Sequence, residues 1–174
     1  IELAQGQLTK ADNMTDRLAA LRLLAFYADP ILRESFLSTF YEDWKDEVLV
    51  VNQWLQVQAS MPDEECLDRI KNLIFHEAFD LHNPNKVRSL IGCYAQNNPI
   101  QFHRIDGAGY RFLIQKIIEL NSINPQVAAR LLTPLTKWRT YIGREIIIKQ
   151  QLEELTYLKN LSKDVYEVVT KSLE

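Results

Sequence analysis

Histidine and acidic side chains come closest together in segment 76–82, which raises the question of a metal site. A zinc helix of the H-E-x-x-H type needs two histidines four residues apart, so that both lie on one helix face. His76 and His82 are six residues apart, which on an ideal helix turns them about 120° away from that stacked position. No other cluster of Cys and His occurs in the sequence. We therefore predict no metal ligands in this chain.

A pair of polar side chains at helical spacing, Gln126 and Arg130, is a stronger candidate for binding. The two residues are four apart, so they share one face of a helix. Arg88 lies at a comparable depth in an earlier predicted helix, and in a stacked array all three side chains could face one concavity. The fork of donors on an arginine suits a carboxylate. The arginines could equally neutralise carboxylates between helices, and both interpretations stay open at this point.

A third set of residues could support independent catalysis, because His103, Asp106 and Tyr110 lie close together in a glycine-containing turn. Nothing in the surrounding sequence strengthens this hypothesis. The chain has no G-x-S-x-G nucleophile motif, no G-x-G-x-x-G motif and no Walker sequence. Catalysis by residues that are distant in the chain stays an open alternative.

The helices that carry Arg88 and Arg130 begin alike. Asn83-Pro84 and Asn124-Pro125 each place Asn at the N-cap and Pro at the first helical position. An Asn side chain at an N-cap accepts a hydrogen bond from a free backbone N–H, and Pro loses nothing there. The two starts are separated by 41 residues, a period typical of helical-pair repeats of the HEAT or armadillo kind.

Apolar residues recur at helical spacing along the chain and do not alternate as in a strand. The pattern predicts an all-α fold: a right-handed superhelical array of paired antiparallel helices, HEAT/armadillo-like, with about eight to ten helices. Residues 1–12 show little periodicity and are predicted to be a lead-in from an upstream domain. A single α-helical domain is predicted over residues 13–174. Helix starts are expected at Asn13 or Thr15, Pro30, Val48, the acidic run 63–65 and Ser162, and Pro134 should kink or divide the Asn124 helix.

The composition excludes some classes of function. The 174 residues carry a net charge of −3, which is too balanced to suggest a nucleic-acid partner. The charge is uneven, since residues 1–82 sum to −8 and residues 83–174 to +5. No apolar run approaches the ~20 residues of a membrane span, so no membrane partner is predicted. Cys66 and Cys93 have no metal or disulfide spacing and are predicted to be buried thiols, compatible with a reducing compartment.

Beyond single motifs, the sequence resembles one known family over nearly its whole length. The segments that carry the resemblance follow one another in the family's order and spacing: 12–16, 44–45, 53–59, 83–92, 98–99 with 102–103, 106–110, 124–130 and 161–167. They are similar to the C-terminal domain of bacterial aminopeptidase N, a gluzincin-type zinc metallopeptidase. Small departures occur at Gln53, Leu55 and Ala108, where the family often has Lys, Phe and Ser.

The resemblance implies a division of labour within a longer polypeptide. The family's zinc helix and its substrate-amine-binding loop lie in an upstream catalytic domain and have no counterpart here. The present residues would cap the catalytic chamber, with Gln126, Arg130 and Arg88 on its lining. The implied whole protein is a cytoplasmic zinc enzyme that removes N-terminal amino acids from peptides, and these residues alone would be inactive. The alternative is a free-standing helical-repeat scaffold that binds a peptide or protein on its concave face.

Overall fold

A computed structural model describes residues 1–174, which divide into two compact units. The first unit contains Ile1–Asp80 and Asn85–Cys93, and the second contains Leu81–Pro84 and Tyr94–Glu174. The predicted single domain over residues 13–174 stays a prediction. No helix in either unit has the length and apolar character needed to cross a membrane.

The predicted all-α fold is confirmed, with ten helices of at least seven residues when the run from Pro84 to Asn97 is counted as one. A five-residue π-helix, Arg88–Gly92, lies within that run, and a 3-10 helix, Trp138–Thr140, precedes Gly143. The α-helices are α1 Glu2–Lys10, α2 Met14–Tyr27, α3 Pro30–Trp44, α4 Val48–Ala59, α5 Cys66–Leu73, α6 Pro84–Val87, α7 Cys93–Asn97, α8 Pro99–Phe102, α9 Ala108–Ile123, α10 Pro125–Leu131, α11 Thr133–Thr136, α12 Glu145–Thr156 and α13 Lys163–Leu173.

Local capping chemistry fixes most of the helix starts where the sequence predicts them. The side chain of Asn13 accepts a hydrogen bond from the Asp16 backbone N–H at 2.9 Å and begins α2. The side chain of Asp29 precedes α3 and accepts hydrogen bonds from the Ile31 and Leu32 backbone N–H groups in its first turn, which begins at Pro30. Ser162 accepts from the Val165 N–H at 3.3 Å and begins α13. Each cap satisfies a donor that the helix itself leaves unpaired.

Helix α4 forms the centre of the first unit, where it packs against α2, α3, α5 and the π-helix. Trp54 is buried on it and donates from Nε1 to the Leu37 carbonyl oxygen at 2.9 Å. Gln56 donates from Nε2 to the Ser89 hydroxyl at 3.3 Å, which ties α4 to the π-helix. Cys66 and Cys93 are both buried, as predicted.

The acidic run 63–65 precedes the start of α5, as predicted. Its carboxylates also bind two arginines. Arg69 donates to both carboxylate oxygens of Asp63, at 3.1 and 3.2 Å. Arg33 lies 3.6 Å from Asp63 and 3.6 Å from Glu65, and its side chain is only 9% exposed. This network of charges fixes the connection between α4 and α5 onto α3.

Two parts of the first unit differ from the sequence expectation. Residues 2–10 form a helix that packs on α2, although only Ala4 is buried on it, which explains its weak periodicity. The apolar pattern predicts Phe75 on the helix that follows the acidic run 63–65, but α5 ends at Leu73 and Phe75 is 89% exposed. His76 lies beyond this end, with its ring 4.8 Å from that of Tyr41 and its Nδ1 accepting from the Ala78 N–H.

Helices α9 and α13 organise the second unit. Helix α9 packs against α8, α10 and α12, whereas α13 packs against α10, α11 and α12. Pro134 divides the Asn124 helix as predicted, because α10 ends at Leu131 and α11 starts at Thr133. The sequence predicts that the run Ile146-Ile147-Ile148 is core, but only Ile148 is fully buried and Ile146 is 73% exposed.

Candidate functional site

Helix α10 carries the predicted pair of polar residues on a well-fixed backbone. Asn124 accepts a hydrogen bond from the Val127 N–H at 3.1 Å, and Pro125 occupies the first helical turn. Ala128 and Leu131 are buried on the opposite face, where α10 packs against α9 and α13. The helix is short, so this burial and the cap, more than intrinsic helix propensity, hold it in place.

The structure places Gln126 and Arg130 together on the exposed face of α10. Neither side chain makes a hydrogen bond or an ion pair, and the one side-chain group that bonds to Arg130 is the Thr133 hydroxyl, which donates to its backbone carbonyl oxygen at 2.8 Å. The interpretation of Arg130 as a partner of a carboxylate between helices is therefore wrong within this chain. An exposed guanidinium on a fixed backbone is available to an anion without first breaking another contact.

Arg88 lies in the first unit, as the first residue of the π-helix Arg88–Gly92. Its side chain is exposed, and its guanidinium donates to the Asn85 side-chain oxygen. Ser89 and Cys93 anchor this segment to α4 through Gln56. The periodicity of the sequence does not reveal the π-helix, although single π-turns occur frequently at functional sites.

The possible catalytic set of His103, Asp106 and Tyr110 is only partly brought together. His103 Nδ1 and Tyr110 Oη lie 2.8 Å apart. Asp106 turns away from this pair, accepts from the Ala108 N–H at 3.0 Å and pairs with Arg104 at 3.0 Å. The bond from Ala108 and the charge of Arg104 lower the pKa of Asp106. A catalytic triad would require this carboxylate to orient the imidazole of His103. The Asp106 carboxylate instead stabilises its own turn.

The environment of His103 and Tyr110 also favours a structural role. Burial raises the pKa of Tyr110 to about 12, so its hydroxyl stays protonated and is no nucleophile at neutral pH. Burial, with a smaller effect from Arg144, lowers the pKa of His103 below its usual 6.5. The His103 ring stacks on Tyr141 with 4.0 Å between centroids, and Arg144 donates to the His103 carbonyl oxygen at 2.9 Å. Sequence reasoning missed Tyr141 and Arg144, because they lie about 40 residues from His103 in the chain.

The residues of this chain do not fit a zinc site. No group of three or more His, Cys, Asp or Glu side chains comes together to hold a metal ion. His76 uses its Nδ1 within its own turn, and the Asp63 carboxylate is bound by arginines. No chemical step through zinc is derived from these residues.

The chain matches one protein family over its whole length and is similar to bacterial aminopeptidases. A family model described as "Domain of unknown function (DUF3458_C) ARM repeats" matches residues 1–174. Aminopeptidase N of Haemophilus influenzae is 42% identical over 173 residues, which cover 99% of this chain and 20% of the relative. Aminopeptidase N of Escherichia coli K12 is 41% identical over 172 residues, covering 98% of this chain and 20% of the relative.

A solved structure shows the same fold. The crystal structure described as Legionella pneumophila aminopeptidase A in complex with aspartic acid superposes with a TM-score of 0.91 and 33% identity. The match covers 99% of this chain and 20% of that one. The chain thus spans about a fifth of the length of these relatives, whose polypeptides contain other domains. By its full-length match to the family model, the chain belongs to the DUF3458_C ARM-repeat family, which forms the C-terminal domain of bacterial aminopeptidase N.

Proposed function

We propose that these residues form the C-terminal helical part of a cytoplasmic zinc aminopeptidase and cap its catalytic chamber. The zinc and the groups that act on the scissile bond belong to an upstream part of the polypeptide. The present residues contribute to the side of the chamber that receives the peptide beyond its first residue, through Gln126, Arg130 and Arg88.

The observation that supports this proposal most strongly is the exposed, unpaired guanidinium of Arg130. Its guanidinium is exposed and unpaired, and it is mounted on a helix fixed by an Asn cap and a buried face. Charged side chains with no ion pair are common on surfaces, but here the amide of Gln126 lies free one turn away. Together the two side chains offer several hydrogen-bond donors and one acceptor on a single helix face, which suits a peptide with carbonyl groups and a terminal carboxylate.

The chemistry assigned to these residues is binding and orientation only. A guanidinium that contacts the far end of a peptide interacts equally with the bound substrate and with the transition state. Such uniform binding lowers KM and leaves kcat nearly unchanged. A single-residue chromogenic substrate has no far end, so its hydrolysis should be insensitive to the same group.

The test uses the full-length polypeptide with Arg130→Ala. We expect KM to rise about tenfold or more for peptides of four or five residues and by less than about twofold for a single-residue substrate, since a charge-assisted hydrogen bond contributes about 1.5–3 kcal/mol. Arg22→Ala is the matched control, because Arg22 is also an exposed arginine with no ion pair and lies in the first unit. Equal effects of Arg130→Ala on both substrates would contradict the proposal.

A further inference from the structure

In the second unit, the turn at residues 103–107 and the turn at residues 141–144 are held side by side by contacts around His103. Arg144 donates from Nε to the His103 carbonyl oxygen at 2.9 Å and from Nη1 to the Ile142 carbonyl oxygen at 3.2 Å. The stacking of His103 on Tyr141 joins the same two turns through side chains. Gly107, at φ 68°, approaches Ile147 so closely that a Cβ atom would lie 2.8 Å from its Cγ2 atom. The two turns therefore have one fixed arrangement.

Three isoleucines on these turns and on the first turn of α12 point into solvent. Ile105 is 64% exposed, Ile142 is 84% exposed and Ile146 is 73% exposed. We call these three residues the isoleucine patch. Single exposed apolar residues are ordinary, whereas several on adjoining, firmly ordered turns are typical of an interaction surface. Neither the proposed peptide contact at Arg130 nor the packing of the unit accounts for them.

The charges around the patch indicate the character of its partner. Arg104, Asp106, Arg144 and Glu145 lie within two residues of the patch isoleucines in the chain, and Arg111 donates to the Asp106 carbonyl oxygen next to Ile105. Arg111 and Arg144 donate to backbone carbonyl oxygens, so their positive charges are not matched one to one by carboxylates. A partner with acidic residues at the edge of an apolar contact complements this surface. Two copies facing each other would instead bring like charges together.

We propose that the isoleucine patch docks an apolar, acid-bordered surface of the same polypeptide that lies outside residues 1–174. The proposal rests on the proposed function, since it needs the longer polypeptide of an aminopeptidase. The chain spans about 20% of the length of its relatives, so most of the polypeptide is available as partner. A tethered partner is present at high effective concentration and needs only a small contact. A stable dimer would need about 800 Å² from each copy, spread over some 20–30 residues a side.

The test is the rate of maleimide labelling of Ile142→Cys in the full-length polypeptide, compared with the rate for the same variant in denaturant. Maleimide reacts with the thiolate, so the labelling rate depends on access to the sulfur atom and on ionisation of the thiol. We expect labelling of native Ile142→Cys to be slowed at least about tenfold. Lys159→Cys is the control, because Lys159 is exposed on another turn of the same unit and makes no ion pair. We expect it to react within about twofold of its denatured rate.

Two results would overturn the inference. One is native Ile142→Cys that reacts as fast as Lys159→Cys. The other is protection that disappears on dilution together with a dimer mass in light scattering, which would make a second copy the partner. The Arg130→Ala kinetics are independent of this measurement. A selective KM effect with a freely labelled Ile142→Cys would leave the proposed function standing and remove only the docking surface.

Discussion

Gly109 offers the sharpest test of the packing in the second unit. It lies in the first turn of α9, directly against the backbone of α8. A Cβ atom at this position would lie 2.5 Å from the Phe102 carbonyl oxygen, 3.0 Å from its Cα atom and 3.1 Å from its carbonyl carbon. All three are backbone atoms, so no side-chain rotation can relieve the contact. Only a shift of α8 away from α9 makes room for Gly109→Ala.

The expected change in the free energy of unfolding combines three effects. Forcing one extra carbon into a filled space costs about 1–3 kcal/mol. Replacing glycine by alanine returns about 0.4–1 kcal/mol through the smaller entropy of the unfolded chain. The displaced Phe102 also loses its edge-to-face contacts with Tyr94 and Tyr110, at 5.6 and 5.3 Å between centroids. We therefore expect Gly109→Ala to lower the free energy of unfolding by about 2 kcal/mol, taking about 1 kcal/mol for the lost aromatic contacts.

Gly6→Ala is the matched control, since Gly6 is also helical and a Cβ atom added there would meet no other atom within 4 Å. We expect it to raise the free energy of unfolding by about 0.5–1 kcal/mol. Thermal unfolding followed by far-UV circular dichroism should separate the two variants by roughly 5–12 °C. A Gly109→Ala protein as stable as Gly6→Ala would refute the close approach of α8 and α9.

Three further predictions concern charge, capping and pH. Asp63→Ala should cost about 3 kcal/mol in urea unfolding, because it leaves two largely buried guanidinium groups with only the exposed Glu65 as a partner, whereas Asp68→Ala removes an exposed pair and should change stability by less than about 1 kcal/mol. Asn124→Ala should cost about 1 kcal/mol and Asn124→Asp much less, measured in the same way, because only alanine removes the cap of α10. The lowered pKa of His103 means that the unfolded chain binds its proton more readily, so stability should fall as the pH drops through 6.5, and the part due to this residue should be absent in His103→Gln.

Features that depend on residues close in the chain could be predicted from the sequence. Asn13, Pro30 and Ser162 determine their helix starts through contacts within three or four residues, and Pro134 interrupts its helix by its own chemistry. Trp54, which the apolar helical pattern predicts to be core, is buried. These elements appear where the sequence predicts them.

Features that depend on distant residues could not be predicted in this way. The contact of His103 with Arg144 joins positions far apart in the chain, and no local pattern indicates it. Helix α1 buries one alanine, too little to produce a periodic signal. The free guanidinium of Arg130 is equally invisible, because a sequence does not reveal which carboxylates lie within reach of an arginine.

The central claim is that the exposed face of α10 meets the peptide substrate inside a longer enzyme. The most direct measurement places a photo-cross-linking amino acid at position 130 of the full-length polypeptide and adds a five-residue peptide with a resistant first bond. Our account predicts a cross-link to the peptide beyond its first residue, competed by unlabelled peptide and absent when the cross-linker replaces Arg22. A cross-link to position 130 that is not competed, or none at all, would contradict the account.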